Sequence, residues 1–165
     1  GSLHTRFMNE VRLYIMKINQ RVTIFLLMSI LWILFIFSFS MQTGEESAAV
    51  SGGIVASLIE WFFGPEFAYA AELEHLIRKA AHFTEYFVLG VLLSSTIRET
   101  KCKKLVLAPW GIGTLIAACD ETIQLFSNGR SGQLSDVMLD SAGVVCGCLF
   151  LHFFISKILL NSKRS

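Results

Sequence analysis

Long apolar stretches alternate with short polar intervals along this chain, and the stretches exceed what a water-soluble core needs. Val22 to Ser40, "VTIFLLMSILWILFIFSFS", carries no charge. A helix needs about 20 apolar residues to cross a bilayer. Comparable segments run from about Ala80 to Ile97, from Leu105 to Phe126 and from Val137 to about Leu160. The pattern predicts an all-α membrane protein with four transmembrane helices. The first is retained rather than cleaved as a signal peptide, because its apolar run is too long and lacks a small-residue cleavage site.

The interval between the first two spans has a pattern of its own. In "QTGEESAAVSGGIVASLIEWFFGPEF", Val50, Ile54, Leu58 and Phe62 recur at helical spacing, and Trp61 and Phe63 suit a membrane–water boundary. An amphipathic helix is expected, lying on the leaflet or packing against the end of the bundle. Gly64-Pro65 ends it.

Polar positions interrupt the other three spans in a consistent way. At about 100° per residue, His75, Lys79, His82, Tyr86 and Leu89 form one stripe, with Glu85 on its flank. "LVLAPWGIGTLIAACDETIQLF" turns acidic only near its end, at Asp120 and Glu121, with Gln124 a turn further on and Gly113 and Ala117 below. In "SDVMLDSAGVVCGCLF", Asp136, Asp140, Gly143 and Gly147 share a stripe. Gly143 and Gly147 leave room for a neighbouring helix. Ionisable residues in hydrocarbon are costly, and such residues converging at one end of three helices point to a functional site.

Charge sets the expected orientation. Arg6, Arg12, Lys17 and Arg21, then Arg98, Lys101, Lys103 and Lys104, then Lys157, Lys163 and Arg164 fall on one side, leaving Arg78, Lys79 and Arg130 on the other. The positive-inside rule then places both termini in the cytoplasm and the polar cluster outside. Residues 1–20 are read as a cytoplasmic segment, 21–160 as the membrane domain and 161–165 as a tail. Gly1-Ser2 reads as a tag remnant, with the native start expected at Met8 or Met16. Composition agrees with the membrane reading: 53% of residues are hydrophobic and 16% charged, against about a quarter charged in soluble domains. A net charge of +1 argues against a nucleic-acid partner. Cys102, Cys119, Cys146 and Cys148 are expected to be small packing residues.

The quoted stretches "FSFSMQTGEES", "IRKAAHFTEYFVLG" and "CDETIQLFSNGRSGQLSDVMLDSAGVVCG" resemble, in order, the motifs of the VanZ-like family of small bacterial membrane proteins. The family commonly has a proline where Ser127-Asn128 stands. Carried over by position, the resemblance implies Lys79, His82, Glu85, Tyr86, Asp120, Glu121, Gln124, Arg130 and Asp136 as the shared polar set; Asp140 matches a more variable position. It also implies a role in the cell envelope, since the family's namesake is associated with teicoplanin resistance.

The residues allow three functional classes. As an enzyme, His82, Glu85, Asp120, Glu121 and Asp136 would supply acid–base groups. Lys79, Tyr86, Gln124, Arg130 and Asp140 would hold a lipid-linked substrate, Arg130 by a two-point fork. As a binder, the same cleft would hold a lipid head group, a lipid-linked cell-wall intermediate or a glycopeptide. Transport ranks third, because it calls for polar residues at mid-membrane with access from both sides. No cofactor is expected. A divalent ion stays an open alternative: His with oxygen ligands suits one, although no recognised ligand spacing is present.

Overall fold

A computed structural model describes residues 3–42, 53–64, 70–127 and 133–162. The described residues are helical: α1 spans Leu3–Ser40, α2 Gly53–Phe63, α3 Ala70–Glu99, α4 Ala108–Phe126 and α5 Leu134–Ser162, with one 3-10 turn over Lys103–Leu105. Three of them contain segments long and apolar enough to cross a membrane, Arg6–Ser40, His75–Glu99 and Leu134–Ile158. The helix in the remaining expected span, α4, starts at Ala108 rather than Leu105 and is 19 residues long. Pro109 in its first turn explains the later start, since proline suits a helix N-terminus and lacks the N–H that an earlier turn would need.

Helix ends follow local chemistry. Gly64 ends α2 with φ 88° while its N–H donates to the Glu60 carbonyl at 2.9 Å, a left-handed closure that glycine adopts without strain. At the end of α3, Lys101 takes φ 56° and its N–H donates to the Arg98 carbonyl at 3.0 Å.

The helices α3 and α5 run parallel, and α1 and α4 run antiparallel to both. Contacts along the chain fix these directions. Lys79 meets Asp136 and Phe87 meets Phe150. Ser29 meets Thr96 at 3.4 Å, Trp32 donates to the Glu85 carbonyl at 2.9 Å, and the Ser127 hydroxyl donates to the Ser40 carbonyl at 3.0 Å. The α3–α5 approach is closest where glycines lie. A Cβ at Gly143 would stand 2.6 Å from the Phe83 carbonyl oxygen, one at Gly147 would overlap the Phe87 carbonyl, and one at Gly90 would overlap that of Val144. The expected packing role of Gly143 and Gly147 is therefore met, with Gly90 as an additional contributor.

The bundle is inside-out by the standard of a soluble protein. Leu31, Leu34, Leu115 and Phe153 face outward, while Ser29, Ser40, Thr96, Asp120, Glu121, Gln124 and Asp140 are buried. An apolar exterior of this extent suits a lipid surround. Among the described side chains of α2, Leu58 and Phe62 are exposed and Ile59 is buried, which fits the leaflet alternative rather than packing of that stripe on the bundle. One expectation changes. Cys102, Cys119 and Cys146 are exposed rather than packed, and only Cys148 turns partly inward, toward the Gly90 carbonyl.

Candidate functional site

Helix α3 presents its polar residues in order of depth. Lys79 lies at the mouth, where its Nζ donates to Asp136 Oδ1 at 3.1 Å and both side chains remain about a third exposed. One turn further in, His82 Nδ1 lies 3.6 Å from Glu85 Oε2. Tyr86 follows, fully buried, and then the apolar Leu89. The predicted stripe thus passes from solvent to core as its residues change from charged to apolar. Trp32 on α1 clamps this segment through the Glu85 carbonyl.

Helix α4 brings Asp120, Glu121 and Gln124 to the inside of the bundle, above Gly113 and Ala117 on the same buried face. Gln124 Nε2 donates to Asp120 Oδ2 at 3.3 Å. Glu121 reaches back to accept the Gln133 backbone N–H at the start of α5, joining the two helices. On α5, Asp136 sits in the first turn. Asp140, one turn deeper, is 1% exposed.

These elements meet at one level. Ligand-type atoms of His82, Asp120 and Asp140 all lie within 4.8 Å of one another. The Ser40 and Tyr86 hydroxyls approach the Asp120 carboxylate, yet neither closes a hydrogen bond with it, and the Tyr86 hydroxyl, Asp120 Oδ1 and Asp140 Oδ1 have no partner among the described residues. Each such buried polar group costs about 1–3 kcal/mol. Carboxylates set this close in a poorly solvated place can share a proton, accept one from a substrate, or hold a cation.

A family model described as VanZ/LLP1 matches residues 25–155. The chain belongs to the VanZ-like family. No curated protein and no solved structure shows a significant match. The VanZ-like match takes in every residue named above as a site candidate. Of these, Lys79, His82, Glu85, Tyr86, Asp120, Glu121, Gln124, Asp136 and Asp140 gather at one end of the bundle. Arg130 lies outside the described residues.

Ser40, fully buried beside Asp120, was not foreseen as part of this VanZ-like site, although it ends the quoted "FSFS" stretch. Trp32 was missed as well, because a tryptophan within an uninterrupted apolar span shows no periodic signal. A separate cavity of about 900 Å³ lies toward the basic end, lined by Ile97, Arg98, Trp110, Leu149, His152 and Ile155. It is largely apolar and does not include the carboxylate cluster.

Proposed function

We propose that this VanZ-like chain is a four-span protein of the bacterial cell membrane with both termini cytoplasmic, α4 being the third span. Its outward-facing polar cluster binds the head group of a lipid or lipid-linked envelope molecule and acts on it by proton transfer. The observation that carries the reading is the burial of Asp120 and Asp140 together, with unsatisfied oxygens, beside His82 and Tyr86. Scaffolding alone favours apolar residues in such positions, because buried charge is a poor source of stability. Lys79 at the mouth supplies a cation for an anionic head group, and Arg130, which lies outside the described residues, is the second cation assigned to it from the sequence. The likeness to the namesake of the VanZ-like family supports a link to glycopeptide resistance as the process served.

Two experiments test this. In sealed cells, a membrane-impermeant thiol reagent should label Ser131→Cys and miss Cys102; labelling of Cys102 would overturn the orientation. Glu85→Gln and Asp120→Asn keep shape while removing an ionisable proton. They should abolish teicoplanin resistance while head-group binding persists. Loss of binding and resistance in proportion, restored by added lipid, would favour a binder without chemistry. Wild-type resistance in both variants would remove the site altogether.

A further inference from the structure

The cluster has a charge problem that the head-group reading leaves unsolved. Among the described residues, Glu85, Asp120, Glu121, Asp136 and Asp140 supply five carboxylates, against His82 and the neighbouring cations Arg78 and Lys79 on α3. Lys79 is already engaged with Asp136. An anionic head group entering such a place meets net repulsion, and that repulsion is strengthened where water is excluded.

We propose that His82, Asp120 and Asp140 form a site for one divalent cation of the manganese or zinc class, and that this ion receives the anionic head group. The proposal rests on the head-group reading for its second half only. Three observations support the ion itself. The donor atoms come from three different helices yet lie within 4.8 Å of one another. Bonds of about 2.1 Å place ligand atoms roughly 3–4 Å apart around such an ion, so rotation of the side chains closes the set without movement of the helices. Asp120 and Asp140 are 0% and 1% exposed, and each leaves Oδ1 without a partner among the described residues. The Tyr86 hydroxyl, on a residue with 0% exposure, approaches Asp120 and Asp140 without closing a hydrogen bond of normal geometry among the described residues.

The donor chemistry narrows the ion. One imidazole with two carboxylates suits zinc, manganese or iron better than calcium or magnesium, which favour all-oxygen sets. Two carboxylate charges match one divalent cation, so the filled site is close to neutral and tolerable at a depth of about 9 Å along α5 from Leu134. Three protein ligands leave coordination positions open, as at catalytic rather than structural metal sites.

The test uses the full chain in detergent, stripped with a chelator and dialysed against Mn²⁺ or Zn²⁺, with ion content and melting temperature measured. About one ion per chain and a higher melting temperature are expected. His82→Gln and Asp140→Asn should each lower ion content at least tenfold, whereas Glu99→Gln at the opposite end should not. Absence of uptake by the wild-type chain, or unchanged uptake in His82→Gln, overturns the cation site. Since wild-type uptake and His82→Gln decide the matter, poor folding of Asp140→Asn leaves the test intact. Binding of a phospholipid head group is measured on the same samples. No ion uptake with head-group binding intact removes the cation and leaves the head-group reading. Ion uptake without head-group binding upholds the cation and removes that reading.

Discussion

The parallel pair α3 and α5 is built in two unlike halves. Toward the basic end, Gly147 lies on the Phe87 carbonyl and Gly90 on that of Val144, so that backbone meets backbone. Toward the other end the same two helices carry Lys79, His82 and Tyr86 against Asp136 and Asp140, and part of that polar surface has no hydrogen-bond partner. The first half is arranged for stability. In lipid, close packing of small residues is the main source of helix association. The second half carries buried polar groups that do not add stability, and Gly143 against Phe83 marks the level where one gives way to the other.

The largest effect is expected where the close-packed half is broken. Gly147→Leu forces a side chain into the Phe87 backbone. Overpacking of this kind costs about 3 kcal/mol or more, which lowers the melting temperature by roughly 6–12 °C in a chain of this size. An unchanged melting curve in detergent would mean that the helices do not meet as described. Gly113→Ala probes the α4–α5 contact more gently. Its Cβ would stand 2.6 Å from Val144 Cγ1, a side-chain atom that can move. A loss of about 1–2 kcal/mol is expected, measurable as a shift of a few degrees.

The polar half should respond differently. Lys79→Gln removes one partner of a pair that is 35% and 31% exposed, and such pairs contribute at most about 1 kcal/mol after solvent screening. Stability should scarcely change, while affinity for an anionic head group falls. A large drop in melting temperature would show that the mouth of the cleft is structural.

Much of this division was legible in the sequence, for a physical reason. Helical periodicity fixes which residues share a face, and the stripes through Lys79, His82 and Tyr86, through Gly113, Ala117 and Asp120, and through Asp140, Gly143 and Gly147 all face inward as expected. Periodicity does not fix the depth of one helix against another. Asp136 and Asp140 share one stripe in the sequence, where Asp136 is the expected acid–base residue and Asp140 the expected substrate contact, yet Asp136 pairs with Lys79 at the mouth and Asp140 lies buried beside Asp120. The same limit kept His82, Asp120 and Asp140 from being singled out within the expected convergence of polar residues, since they are far apart in the chain and match no ligand spacing. The α2 stripe through Leu58 and Phe62 was visible, but a periodic face does not say whether protein or lipid will cover it.

Asp140→Val, assayed for both stability and function, tests most directly whether the polar half exists for function. Asp140 Oδ1 is buried without a hydrogen-bond partner among the described residues, so an apolar side chain of similar size in its place removes an unsatisfied group that costs about 1–3 kcal/mol. In chelator-treated detergent samples the variant should melt at or above the wild-type temperature, and, on the proposed link to glycopeptide resistance, cells carrying it should be as teicoplanin-susceptible as cells lacking the protein. Full resistance, or a melting temperature several degrees below wild type, would contradict the account, because Asp140 would then be either dispensable or simply part of the scaffold.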